Sequence, residues 1–107
     1  MTDAPKTPLP VPALTTRERT HLKARAHALE PVVRVGHAGL TDAAVASIDR
    51  ALEAHELIKV RLGEGDRDDR AEISATVTAR TGAAVVQRVG RVLVLWRPRP
   101  LEGDSAP

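Results

Sequence analysis

The chain of 107 residues has no cysteine, no phenylalanine and no tyrosine, and its single tryptophan is Trp96. Without cysteine there is no disulfide framework, thiolate metal site or thiol nucleophile, which fits a reducing compartment. Without Phe or Tyr, no sheet face can carry the aromatic platform on which bases stack in RNA recognition motifs. Long apolar runs are missing too: none approaches the ~18 residues of a membrane-spanning helix. Pro5, Pro8, Pro10 and Pro12 interrupt the stretch that a leader peptide would occupy. These absences predict a soluble, cytoplasmic protein with no membrane contact.

Catalytic signatures are equally scarce. There is no HExxH, no Walker A pattern and no GxSxG. Asp66, Asp68 and Asp69 lack the spacing, glycine and terminal Glu of an EF-hand loop and read as a solvated loop with a helix cap. His21 and His27 lie six residues apart on one helix, so they do not share a face as i, i+4 ligands would. His55 sits at a helix end, where it favours the negative end of the dipole. Nothing assembles into an active site, so neither an enzyme, a cofactor nor a metal is expected.

What the chain does have is an aliphatic core, many arginines and an uneven charge. A single domain of this size buries roughly 65% of its unfolded surface, enough for a core without staples. Residues 17–41 and 80–99 hold ten Lys and Arg side chains against Glu18 and Glu30, whereas residues 42–72 hold nine acids against five bases. Segregation of this kind points to one face for a polyanion and one solvated face, with a mixed arginine-rich surface as the plainer alternative.

Residues 1–13, rich in proline, and 99–107 read as disordered tails around a domain over 14–98. Thr15 and Glu18 form a capping box for a helix over about 16–28, with Leu22, Ala26 and Leu29 on its apolar stripe. Pro31 stops it. Val32–Val35 reads as a strand, and Thr41 caps a second helix whose Val45, Ile48 and Leu52 share a face. Residues 57–62 alternate, with Ile58, Val60 and Leu62 on one face and Leu57, Lys59 and Arg61 on the other. A third helix spans about 68–81 and stops at Gly82. Two strands, 83–89 and 92–97, flank Gly90-Arg91, a hairpin signal of type II′. The order αβαβαββ predicts an α/β two-layer sandwich with three helices on a mixed four-stranded sheet.

The segment "VRVGHAGLT" carries Gly36 and Gly39 in one short loop that runs into a helix N-terminus. Unpaired N–H groups and the helix dipole favour an anion there, and glycines let a sugar–phosphate backbone approach, as in the GXXG loop of KH domains. A plain strand-to-helix turn would explain the same residues. Around the loop stand Arg34, His37 and a basic first helix.

The runs "LTTRERTHLKARAHALEPVVRVGHAGLT", "IDRALEAHELIKVRL" and "TGAAVVQRVGRVLVLWRP" resemble the CRM domain (chloroplast RNA splicing and ribosome maturation) in its stand-alone bacterial YhbY-like form. The resemblance covers residues 14–98. It implies a fold similar to the C-terminal domain of translation initiation factor 3. It also implies RNA binding, with precursor large-subunit rRNA or a pre-ribosomal particle as partner. Gly36, His37, Ala38 and Gly39 would clamp a phosphate, with backbone contacts expected from Lys23, Arg25, Arg34, Arg88, Arg91 and Arg97. The protein would act as a monomer. A general RNA chaperone or splicing cofactor on the same fold, or an adaptor that binds protein instead, are the alternatives. His37 and Glu30 each stand where the family commonly has Lys, Ala24-Arg25 replaces a Gly-Leu pair, and Trp96, expected to pack rather than stack, replaces a Tyr.

Overall fold

A computed structural model describes residues 10–36, 39–63 and 67–98. The expectations for residues 1–9 and 99–107 fall outside them. Helix α1 (Thr16–Ala26) starts at the expected box: the Thr15 hydroxyl accepts from the Glu18 amide (3.0 Å), and the Glu18 carboxylate accepts from the Thr15 amide (2.9 Å). It ends earlier than its periodicity suggests. The His27 amide is shared between the Lys23 and Ala24 carbonyls, and the Leu29 amide donates to Ala26 (2.9 Å), so the chain turns well before Pro31. Leu29 therefore leaves the apolar stripe and stays exposed.

Strand β1 (Pro31–Arg34) opens on proline, which is tolerated at the first position of an edge strand. Helix α2 (Asp42–His55) is capped by Thr41, whose hydroxyl accepts from the Ala44 amide (3.1 Å), and buries Val45, Ile48 and Leu52 as the spacing predicts. Strand β2 (Leu57–Arg61), helix α3 (Arg67–Thr81) and the hairpin of β3 (Ala84–Val89) and β4 (Val92–Trp96) complete the expected order. Gly90 has φ +57° while Arg91 stays out of the left-handed region, the φ pattern of a II′ turn.

The sheet runs β1-β2-β4-β3, with β1 parallel to β2 and the other pairings antiparallel. Class, helix number and mixed sheet are those expected. The layer count is not: there are three layers, not two. Ile48, Leu52, Ile58, Val60, Val77, Leu93 and Leu95 form one core beneath α2 and α3. Leu22, Ala26, Leu57, Val86 and Val94 form a second on the other face, beneath α1, with Leu14 and Trp96 packed beside it. Strand β4, "VLVLW", supplies both cores from alternate residues, as a strand covered on both faces must.

Candidate functional site

The side chains on the α1 face follow from strand register. In an antiparallel pair, directly opposed residues point to the same side. Lys59 opposes Val94 and Arg61 opposes Val92, so both lie on the face that α1 covers, and Arg34 joins them by pairing with Arg61. Helix α1 roofs only part of this face and leaves two hollows. The first, of about 360 Å³, is lined by Lys23 of α1 and His27 at its C-cap, Lys59 from β2, and Gln87, Val89 and Val92 from the hairpin. The second, of about 250 Å³, lies at the far end of β1 and β2, where Arg34, Arg61, Arg91, Gly36 and Gly63 converge. Among the described residues, no carboxylate lines either one. Lys59 is anchored while its charge remains, its Nζ donating to the Leu29 carbonyl (2.9 Å).

The glycine loop borders the second hollow. The Gly39 amide donates to the Gly36 carbonyl (3.0 Å), closing a four-residue turn just before Thr41 caps α2. Gly39, at φ +88°, is required by the backbone. Gly36 is different. Its φ is ordinary, and a Cβ built on it would meet nothing within 4 Å among the described residues. Among the described residues, neither a positive φ nor close packing calls for glycine there. His37 and Ala38 lie outside the described residues.

Gly63 was not singled out by the sequence, and it holds the hollow together. A Cβ on it would stand 3.0 Å from the carbonyl oxygens of Val35 and Gly36. The Val35 amide donates to Arg61 (2.8 Å) and the Leu62 amide to Arg91 (2.6 Å), which brings the ends of β1 and β2 and the hairpin turn together.

The sequence-predicted basic residues divide into groups. Lys23, Arg34 and Arg91 line the two hollows. Arg25 lines a separate hollow at the opposite end of β1. Arg88 opposes Leu93, so it belongs to the α2/α3 side of the sheet, away from Lys23. Arg97 departs furthest from an open cation. Its guanidinium is held by the Asp49 carboxylate (2.6 Å), the Thr81 carbonyl (2.8 Å) and the Asp49 carbonyl (3.2 Å), with its side chain 22% exposed. It ties β4 to α2 and to the carbonyl end of α3, where a cation also suits the helix dipole. Conversely, His27, Lys59 and Arg61, which the sequence alone does not mark as site residues, join the hollows. The alternation of residues 57–62 was the signal that could have found two of them.

Arg19 explains why α1 sits where it does. Its Nη1 donates to the carbonyls of Val85 (2.7 Å) and Val86 (2.9 Å), at the irregularity where β3 slips register against β4. The helix is thereby pinned to edge strand β3, with Lys23 and His27 over the groove. Among the described residues no group of His, Asp or Glu side chains could hold a metal ion, and no helix is long and apolar enough to cross a membrane.

The chain is similar to known proteins. An RNA-binding protein of Haemophilus influenzae is 45% identical over 85 residues, covering 79% of this chain and 86% of its own. A protein of Pseudomonas aeruginosa named as a probable RNA-binding protein is 38% identical over 88 residues, covering 82% and 85%. The solution structure of a hypothetical Staphylococcus aureus protein, described as an RNA-binding candidate, superposes with a TM-score of 0.74 at 30% identity, covering 84% of this chain and 94% of that one. The sequence profile of the CRS1 / YhbY (CRM) domain matches residues 14–97. With its three helices, its mixed sheet and its glycine loop between β1 and α2, the chain belongs to the CRS1 / YhbY (CRM) domain family.

Proposed function

We propose that this chain is a non-catalytic RNA-binding protein that grips the sugar–phosphate backbone and acts in assembly of the large ribosomal subunit, on precursor rRNA. The observation that carries the binding mode is Gly36. A glycine without a positive φ, whose Cβ position is open among the described residues, stands beside three converging arginines and a helix N-terminus and leaves room for an anion to reach the backbone amides. Arg34, Arg61 and Arg91 supply fixed charge at that point, and Lys59 and Lys23 continue the path beneath α1. Arg97, tied to Asp49, and Arg88, on the other side of the sheet, stand outside this path. The names of the relatives support RNA as the ligand, and the family resemblance supports the ribosomal role.

The test is His37→Asp with Ala38→Asp, read by melting temperature and by affinity for a structured rRNA fragment. Two carboxylates near a helix N-terminus do not harm the helix but repel a phosphate. The variant should melt like the wild type and lose RNA binding. A folded variant with unchanged affinity would reduce the loop to a simple turn. Absence of nuclease-sensitive RNA from the purified wild type would favour the protein adaptor. Crosslinking in cells, with sequencing of the bound RNA, separates precursor rRNA from the broad target set of a chaperone or splicing cofactor.

A further inference from the structure

Beyond the two basic hollows lies a third, of about 370 Å³, that the phosphate path does not use. It opens between the chain leaving α1, the start of β1 and the junction of α2 with β2, and is lined by Arg25, Leu29, Glu30, Val32, His55 and Leu57. Its volume falls within the ~300–1,000 Å³ of small-ligand sites. Leu57 is buried, while Leu29 and Val32 remain 37% and 52% exposed, so the hollow offers uncovered aliphatic surface. Charges of opposite sign border it. Neither Arg25 nor Glu30 forms an ion pair or side-chain hydrogen bond with another described residue, although both line the same hollow. A guanidinium and a carboxylate, each with its hydrogen-bonding capacity unspent, thus share one apolar cup.

The carboxylate is the informative group. A surface built for phosphate alone is weakened by an anion, through simple Coulomb repulsion. What a carboxylate does recognise in RNA is an N–H on a base edge. Guanine is the base that presents two adjacent donors, N1–H and N2–H, to the two oxygens of one carboxylate. It also carries O6 and N7, the acceptor pair that arginine reads. Its ring can rest on the aliphatic side chains or against the guanidinium plane, which replaces the aromatic platform this chain lacks. The hollow also adjoins the basic path: the carbonyl of Leu29, in its wall, accepts a hydrogen bond from the Lys59 ammonium.

We propose that this hollow receives an unpaired guanine of an RNA whose backbone follows the basic path, with Glu30 on the N1–H and N2–H edge and Arg25 on O6. The inference rests on the RNA-binding reading and adds base selectivity to it. The probes are hairpin RNAs with one common duplex and a short uridine overhang whose central nucleotide is G, A, C or U. The guanine probe should bind about tenfold more tightly than the others, within the range of a good bidentate base contact. Glu30→Gln should narrow that gap, since an amide offers one acceptor oxygen. Glu30→Lys should erase the preference while keeping or raising affinity for the A, C and U probes, because a cation replaces an anion at an exposed position. Equal binding of the four probes by the wild type, or a guanine preference that survives Glu30→Lys, would overturn the hollow's assignment alone. Failure to bind any probe would overturn the RNA reading itself.

Discussion

A Cβ on Gly63 would press on two backbone carbonyl oxygens at 3.0 Å, whereas one on Gly36 would meet nothing within 4 Å among the described residues. Backbone atoms cannot swing aside as a side chain can. Gly63→Ala should therefore cost about 1–3 kcal/mol, the usual penalty of overpacking, and disturb the Arg34–Arg91 hollow as it does so. Gly36→Ala should leave the melting temperature unchanged or raise it by up to about 1 kcal/mol of stability, since the unfolded chain loses freedom. Its RNA affinity should nevertheless fall about tenfold, the equivalent of one charge-assisted hydrogen bond. Equal melting losses for the two variants, or full affinity in Gly36→Ala, would contradict this division. The two loop glycines are visible in the sequence because both stand between a strand and a helix cap. Gly63 is not, because its role exists only once β1 and β2 lie side by side.

Among the elements, α1 shows where sequence legibility stopped. Its capping box, start and apolar spacing read directly, because local hydrogen bonds and periodicity determine them. The face of the sheet that it covers depends on partners some sixty residues away: Arg19 reaches Val85 and Val86, and Leu22 packs with Val86 and Val94. The uninterrupted apolar run of β4 was the sign of a sheet covered on both faces. Arginines present the same difficulty, since composition cannot tell a structural guanidinium from an open one. Arg97→Ala removes bonds to Asp49 and Thr81 that join β4 to both α2 and α3. It should destabilise the protein by about 1.5–3 kcal/mol, as loss of a charged hydrogen-bonding group does, and leave the RNA affinity of the folded fraction unchanged. Arg91→Ala, at an exposed turn, should do the reverse: a melting temperature within error of the wild type and weaker RNA binding. Denaturant titration paired with RNA titration of both variants checks the contrast.

At the scale of the whole molecule, charge is sorted by face. Lys23, Arg34, Lys59, Arg61 and Arg91 share the α1 side and the loop end, where no acid among the described residues lines either hollow. The exposed acids of α2 and α3, among them Asp42, Glu53, Asp68 and Glu72, stand on the other side of the sheet. The modest net charge of +2 conceals this separation. Over a few ångströms of salt-screened solution it is the local field, not the total, that a polyanion meets. Each phosphate neutralised on the basic face releases condensed counterions, so affinity must fall as salt is added. For about four to six phosphates, a plot of log K against log salt should have a slope of about −3 to −5, using coefficients between the single-strand and duplex values. The slope also locates the binding surface. Lys23→Gln, Arg61→Gln and Arg91→Gln should each flatten it by nearly one unit, whereas Arg88→Gln, on the opposite side of the sheet, should leave it unaltered. A slope near zero in the wild type would mean an apolar interface instead. Equal flattening by Arg88→Gln would mean that the polyanion wraps an edge of the sheet rather than following the groove beneath α1.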